Sequence, residues 1–268
     1  ENTLFAQSVC PDEVNHEEGD ITNLFAEYLG EVFHMGGLAG IPFTGKTGFG
    51  AFSHHVPDGG HCFVLLAPHV GVDTCGCIGS YARLGQHGRL GDTCGATNGA
   101  MSFCESDQEL PDLMSCEEDY QMAYLIHQIH KRKNIILNAG DRNAVETELV
   151  KQTYEVAKNM LDKIVNVNFG GSTSTLVILT GIQINMPRPS EDYFQPLRFY
   201  VMNKDNTVTD LFEETFGHEY NHPSPWEVDD RILLNNKPTP KATRRKKSGK
   251  WIKNRLAHDT ASTAIDSK

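Results

Sequence analysis

The sequence predicts an α/β fold in which a mainly parallel central sheet is flanked by helices. Short apolar segments alternate with helix-patterned segments, and glycine-rich connections separate them. One apolar run, CFVLLA at residues 62–67, is uninterrupted, which is typical of a strand buried on both faces of a parallel sheet. With 268 residues, the chain is long enough to bury a substantial core of this kind.

The first third of the chain is predicted to begin with a strand around Leu4–Val9, which leads into the sequence CPDEVN. An amphipathic helix is predicted over 21–35, because apolar residues recur there at helical spacing and the pair Gly36-Gly37 can end it. Residues 36–61 are rich in glycine and are predicted to be irregular, and the strand 62–67 follows.

The rest of the chain continues the alternation of strands and helices. In order, the predicted elements are an irregular segment 68–93, a helix from Cys94, a helix over 117–133, a short strand NIILN, a helix over 141–164 capped by Asp141, and strands at Thr175–Met186 and Leu197–Met202.

The charge of the chain is distributed unevenly. A formal net charge of −11 argues against a protein that coats nucleic acid, so no nucleic-acid partner is expected. Lys237–Arg255 nevertheless carries nine lysines or arginines and no acid, which is typical of a solvated tail. We therefore predict a folded domain at 1–235 and a flexible basic tail at 236–268, with contact to an acidic partner or a neighbouring subunit as the alternative. No apolar run approaches the roughly eighteen residues of a membrane span.

The stretch GIPFTGKT, residues 40–47, fits the phosphate-loop pattern G-x-x-x-x-G-K-[ST]. That pattern binds phosphate only when a buried strand enters the loop and a helix leaves it. Here a helix is predicted before Gly40 and no helical period follows Thr47, so no nucleotide partner is expected. The stretch is then either a surface loop or a loop that packs against another site.

Three candidate metal ligands stand where strands of an open α/β sheet should end. Cys10 follows the first strand, His69 follows CFVLLAP, and Cys94 opens a helix. Two thiolates and one imidazole suit Zn²⁺, and three protein ligands would leave the fourth position of a catalytic site open. By spacing alone, other residues compete for this role: Cys75, Cys77, His54, His55 and His61.

Four segments of the sequence closely resemble one known family. They are CPDEVN, HMGGLAGIPFTGKTGFGAFSHHVPDGG, LLAPHVGVD and CGATNGA, and together they cover most of residues 4–200. The resemblance is to the limiting-CO2-inducible B family of algae and diatoms, assigned to the theta class of carbonic anhydrases and similar in fold and zinc site to the beta class. It implies a beta-carbonic-anhydrase-like fold for the domain 1–235, with GIPFTGKT in a glycine-rich loop around the strand ends.

The resemblance also implies the roles of individual residues. Cys10, His69 and Cys94 are the implied Zn²⁺ ligands. Cys94 is chosen over Cys75 and Cys77 because it alone is followed by Gly-Ala and a predicted helix. The beta-type pattern C-x-D-x-R keeps its aspartate as Asp12 but has Val14 at the arginine position. Arg83, in the inserted YARLG, is expected to supply the missing charge for a catalytic Asp–Arg pair; Arg89 is the alternative.

The implied activity is that of a zinc carbonate dehydratase, the reversible hydration of CO2 to bicarbonate, in a photosynthetic CO2-concentrating context. The alternative is a catalytically silent zinc-binding relative that binds CO2 or bicarbonate or organises a complex. By the same resemblance we expect a homodimer in the chloroplast, with stroma, pyrenoid and thylakoid lumen all open.

Overall fold

The fold is seen in a computed structural model that describes residues 2–16, 20–106, 108–114, 117–165 and 173–217. The strands are β1 (Thr3–Val9), β2 (Val32–His34), β3 (His61–Ala67), β4 (His69–Gly71), β5 (Ser80–Arg83), β6 (Arg89–Asp92), β7 (Thr175–Asn185), β8 (Tyr193–Asn203) and β9 (Val208–Asp210). The helices are α1 (Ile21–Leu29), α2 (Gly45–His54), α3 (Gly95–Glu105), α4 (Tyr120–Leu137), α5 (Arg142–Val165) and α6 (Phe212–Phe216).

The central sheet has the order β2-β1-β3-β7-β8-β9, and β4 pairs with β7 beyond the end of β3. Strands β1, β2, β3, β4 and β7 are parallel, whereas β8 and β9 extend the sheet antiparallel. The prediction of a mainly parallel α/β sheet flanked by helices is therefore confirmed. In register, Val9 of β1 stands opposite Ala67 of β3, so the two strands end at the same level.

Alternating side chains of the central strands supply two apolar clusters on opposite faces of the sheet. On β3, Val64 and Leu66 belong to the larger cluster, to which α2, α3, α4 and α5 also contribute. Phe63 and Leu65 belong to a smaller cluster, in which the rings of Phe63 and Phe25 of α1 lie 4.7 Å apart. This alternation explains why CFVLLA is apolar without interruption.

The first half of the chain has more regular structure than its glycine content indicates. The predicted helix 21–35 is wrong in extent, because Gly30 (φ 88°) ends α1 and Val32–His34 forms the edge strand β2. The predicted irregular segment 36–61 contains α2, whose Phe49 and Phe52 are buried. Glycines lower helix propensity, and burial of these two rings outweighs that cost.

Two later predictions also need correction. NIILN is the last turn of α4 and not a strand, because Ile136 follows Ile129 at helical spacing and both side chains are fully buried. The segment 68–93 is not irregular, since β4 joins the main sheet and β5 pairs with β6 in an antiparallel hairpin. The helix over 141–164 is confirmed as α5, and Asp141 Oδ1 accepts a hydrogen bond from Ala144 N at 3.0 Å.

The GIPFTGKT segment comes after β2, and α2 begins within it at Gly45, so the sequence-based reason for excluding a phosphate loop was wrong. Hydrogen bonds provide a better reason. The amides of Gly40, Ile41, Phe43, Thr44 and Gly45 all donate to backbone carbonyls of residues 35–42. These five amides are therefore not available to a phosphate group.

Two remaining predictions concern membranes and the tail. Within the described residues, none of the helices combines the length and the apolar character that crossing a bilayer requires. The predicted basic tail 236–268 lies outside the described residues.

Candidate metal centre

Cys10, His69 and Cys94, called here the Cys2His group, converge at the carboxyl ends of the parallel strands. Cys10 directly follows β1, and His69 begins β4 after Pro68 interrupts the line of β3. Cys94 is the N-cap residue of α3. The two Sγ atoms are 3.7 Å apart, and the ligand atoms of all three residues lie within 4.8 Å of one another. Each residue is at most 3% exposed.

The hairpin β5–β6 returns the chain so that Cys94 reaches the strand ends. Thr93 O accepts a hydrogen bond from Gly71 N at 3.2 Å, and Thr93 N donates to Gly79 O at 3.0 Å. A Cβ atom at Gly71 would lie only 2.9 Å from the Cβ atoms of both Thr93 and Tyr81. Only glycine at position 71 therefore allows the hairpin to approach β4 this closely.

The glycine-rich loop packs over the same strand ends, as the resemblance implies. A Cβ atom at Gly36 would overlap the Val9 backbone, and one at Gly40 would lie 3.2 Å from Pro68 N. Ser8 Oγ also donates to Gly40 O at 2.8 Å. GIPFTGKT thus forms part of the wall around the Cys2His group.

The two thiols cannot both ionise easily in this buried place. The hydrogen bond to Cys94, burial, and the charge on Cys94 all raise the pKa of Cys10 far above its ordinary value. The hydrogen bond from Cys10 holds the pKa of Cys94 well below its ordinary value, although burial opposes this, and His69 lowers it further. The pair therefore retains one proton between its two sulfurs, because two neighbouring thiolates would repel each other. A bound cation would offset that repulsion and allow the second proton to leave.

The imidazole of His69 leaves one nitrogen unused. Nδ1 lies 2.8 Å from Asn185 Oδ1, whereas Nε2 is buried without a hydrogen-bond partner among the residues that the structure describes. Burial lowers the pKa of His69, but the charge and close contact of Cys94, the hydrogen bond to Asn185 and the charge of Asp12 raise it by more, so the net shift is upward. An unpaired buried nitrogen beside two thiols fits a Zn²⁺ ion, which takes sulfur and imidazole ligands.

The structure brings Arg83 to Asp12. Arg83 Nη2 donates to both carboxylate oxygens of Asp12, at 2.9 and 3.2 Å, and Nε donates to Glu13 Oε1 at 2.8 Å. Arg83 Nη2 also reaches Asp92 O at 3.2 Å, which ties the side chain to its own hairpin. Arg89, the alternative, stands opposite Arg83 in the hairpin and is exposed.

The carboxylate of Asp12 also faces the Cys2His group. Its Oδ2 lies 3.9 Å from His69 Nε2, and its side chain is 11% exposed. Burial raises the pKa of Asp12, whereas the neighbouring His69 and Arg83 lower it. The positive partners therefore offset only part of the cost of keeping this carboxylate charged.

The other cysteines and histidines that the sequence allowed as metal ligands lie away from the Cys2His group. Cys75 is exposed and Cys77 half-buried in a turn before β5, and His54 and His55 are exposed at the end of α2. His61 begins β3, at the opposite end of the strand from His69. Among the described residues, the Cys2His group alone forms a cluster of three or more His, Cys, Asp or Glu able to hold a metal ion.

Two asparagines next to the group were not predicted from the sequence. Asn185, the last residue of β7, contacts His69, and Asn15 Nδ2 donates to Cys10 O at 3.2 Å. Val14, at the position where the beta-type pattern has arginine, buries its side chain and offers its carbonyl to Asn185 Nδ2 at 3.1 Å. A polar residue at the carboxyl end of an apolar strand was the available signal for Asn185.

Comparison with known proteins agrees with this architecture. Residues 1–203 match the family described as limiting CO2-inducible proteins B/C, beta carbonic anhydrases. No curated protein sequence matches the chain. The crystal structure of PtLCIB4, a homolog of the limiting CO2-inducible protein LCIB, is 30% identical, with a TM-score of 0.68 over 78% of this chain and 84% of that one.

The crystal structure of LCIB itself is 16% identical, with a TM-score of 0.57 over 78% of this chain and 83% of that one, which shows the shared fold. The beta-carbonic anhydrase CcaA matches more distantly, at 11% identity and a TM-score of 0.38 over 78% of each chain. With its profile match over residues 1–203, this chain belongs to the limiting CO2-inducible protein B/C family of beta-carbonic-anhydrase-like proteins.

Proposed function

We propose that the protein is a zinc-dependent carbonic anhydrase that interconverts CO2 and bicarbonate. The observation that supports this best is the buried Cys2His group with an unpaired imidazole nitrogen and a carboxylate beside it. Cys10, His69 and Cys94 would hold the ion. Three protein ligands leave one position for water or substrate, as in catalytic zinc sites.

Zinc, when bound, supplies the Lewis acidity that activates water near neutral pH. The side chains around it orient the reacting water. Asp12 stands beside Nε2 of His69, where its carboxylate can accept a hydrogen bond from that water. Arg83 holds both oxygens of Asp12 and so restrains the carboxylate from moving onto the ion as a fourth ligand.

Stopped-flow CO2 hydration, measured together with zinc content on the purified protein, tests this proposal. We expect about one zinc per chain and hydration that a chelator abolishes and added zinc restores. Zinc without hydration would replace the proposal with the catalytically silent relative that binds CO2 or bicarbonate or organises a complex. A chain that takes up no zinc would exclude both functions.

We also propose a homodimer that works in the chloroplast, within a photosynthetic CO2-concentrating system. Membership of a family named for induction at limiting CO2 supports this context. Light scattering should give about twice the chain mass of 29.8 kDa. A fluorescent fusion of the protein, expressed from its full coding sequence, should colocalise with chlorophyll, and a cytosolic signal would exclude this compartment.

A further inference from the structure

The amide of Asn185 holds the imidazole of His69 through the nitrogen that a metal would not use. Asn185 is fully buried, and its Oδ1 lies 2.8 Å from His69 Nδ1. A carbonyl oxygen accepts hydrogen bonds and cannot donate them, so the proton of this contact belongs to Nδ1. In a neutral imidazole the other nitrogen, Nε2, then carries the lone pair that a metal ion needs.

The orientation of the Asn185 amide is itself determined by its other contacts. Nδ2 donates to Val14 O at 3.1 Å and to Asp192 Oδ2 at 2.7 Å, and both of these atoms are acceptors. Rotation of the amide by half a turn would place Oδ1 against two acceptors and Nδ2 against the Nδ1–H of His69. One orientation of Asn185 therefore satisfies all three contacts, whereas the reverse leaves Val14 O and Asp192 Oδ2 without a donor in either tautomer of His69.

Asp192 is also held in place. Its second oxygen, Oδ1, accepts a hydrogen bond from Met186 N at 2.7 Å, one residue beyond Asn185. The carboxylate of Asp192 thus closes the turn between β7 and β8 with one oxygen and accepts the hydrogen bond from Asn185 Nδ2 with the other. A chain of three side chains leads from this turn through Asn185 to His69.

The sheet places Asn185 at this point. β7 runs beside β4 with Gln183 opposite His69 and Asn185 opposite Gly71. Side chains two residues apart on a strand share a face, so Asn185 lies diagonally next to His69. Through Val14 O, the same amide also contacts the turn that follows Cys10.

We propose that Asn185, oriented by Asp192, is a positioning residue for the metal site. It fixes the tautomer and the ring orientation of His69 so that Nε2 faces the two thiols, and it links the His69 strand to the Cys10 turn. This inference rests on the zinc site of the proposed function. Loss of such a partner behind a metal-binding histidine typically weakens metal binding by about 10- to 100-fold.

Asn185→Leu tests the proposal, with Thr180→Val as its control. Thr180 lies on the same strand, and its hydroxyl makes a buried hydrogen bond to Tyr154 Oη at 2.7 Å, but it does not contact His69. In chelator competition, Asn185→Leu should bind zinc about 10- to 100-fold more weakly. Thr180→Val, which also loses one buried hydrogen bond, should keep the wild-type zinc Kd.

The proton on His69 Nδ1 gives a second readout, which does not require catalysis. In ¹⁵N-edited NMR, we expect a slowly exchanging Nδ1 proton in the wild type and in Thr180→Val, with and without zinc. Asn185→Leu should lose this protection. A folded Asn185→Leu that retains both the protected proton and the wild-type zinc Kd would overturn the proposal.

An exchange of the side chains at positions 185 and 192 provides a test that still works if Asn185→Leu fails to fold. Asn185→Asp alone should weaken zinc binding, because it brings two carboxylates together where Nδ2 now lies 2.7 Å from Asp192 Oδ2. The double variant N185D/D192N restores one donor to that pair and keeps an acceptor for His69, so it should recover part of the zinc affinity. A double variant no better than the single one counts against the role of Asp192.

The two proposals fail in different ways. A wild-type chain without zinc would end the proposed function, whereas the Nδ1 proton of that metal-free chain would still decide whether Asn185 positions His69.

Discussion

Two regions of the molecule each bring two cysteines together, but only one of them has the properties of a metal site. In the Cys2His group, Cys10 and Cys94 are 84 residues apart in the chain, buried, and 3.7 Å from each other. In the turn that contains Cys75 and Cys77, called here the Cys75–Cys77 turn, the thiols are separated by one residue. The first of them is exposed.

The difference lies in which polar groups are already satisfied. In the Cys75–Cys77 turn, the amides of both cysteines donate to Asp73 Oδ1, at 2.8 and 2.9 Å, and water can solvate the exposed thiol. In the Cys2His group, two thiols compete for one proton and an imidazole nitrogen has no partner among the described residues. A site favours a bound cation when its ligand atoms are buried and brought together at the strand ends. Closeness of the cysteines in the sequence does not produce this property.

The largest expected effect is the loss of zinc from Cys94→Ser. We expect zinc affinity to fall by more than about a hundredfold, because a hydroxyl replaces a thiolate ligand. Elemental analysis after dialysis provides the measurement. Cys77→Ser is the matched control and should keep its zinc. Full zinc retention in Cys94→Ser with unchanged stability would disprove the ligand set and favour Cys75 or Cys77.

A smaller effect should separate the two arginines of the hairpin. Arg83→Ala should retain zinc but lower CO2 hydration by about tenfold or more, because Asp12 would lose the partner that positions it. Arg89→Ala removes an exposed side chain and should stay near the wild-type rate. Wild-type hydration in Arg83→Ala with a collapse in Arg89→Ala would reverse the assignment.

The smallest effect concerns Cys62, which is buried in β3 as a single thiol. Burial raises its pKa to about 11 from an ordinary 9.0. The unfolded chain therefore loses this proton first, so stability is full below pH 9 and declines as pH rises from about 9 to about 11. By pH 10 the loss should reach about 1 kcal/mol.

Urea unfolding of the wild type and of Cys62→Ala from pH 8 to 10.5 provides the measurement. The variant is less stable throughout because of the cavity, but its decline with pH should be shallower. Parallel curves for the two proteins would show that Cys62 contributes nothing to the pH dependence.

The local sequence was sufficient to predict those helices and strands whose apolar residues follow a single pattern from end to end. The apolar run 62–67 and the helix capped by Asp141 are examples, since every residue from Cys62 to Ala67 is buried in β3 and burial repeats every turn along α5. Residues 30–54 were harder. There, a glycine interrupts one apolar period to begin β2, and the glycines of α2 conceal a helix that two buried rings stabilise.

The site was predictable only in part, for a related reason. Strand ends and family resemblance pointed to Cys10, His69 and Cys94, because ligands follow directly from where strands stop. Asn185 contacts His69 although the two residues are 116 positions apart in the chain, and the choice of Arg83 over Arg89 depends on a hairpin register that the local sequence does not reveal. Contacts of this kind are determined by tertiary packing and leave no local period.

The attachment of the β5–β6 hairpin has an evolutionary consequence. The three ligand side chains come from the residue after β1, from β4 and from the N-cap of α3, whereas Arg83 comes from the hairpin between β4 and α3. A substitution of Arg83 alone would therefore remove the partner of Asp12 and leave all three ligand residues unchanged, because the backbone contacts of Thr93 that place Cys94 do not involve the Arg83 side chain. Under the proposed function, a relative altered only at this position would bind zinc without efficient hydration of CO2, and a single substitution back to arginine would restore the rate.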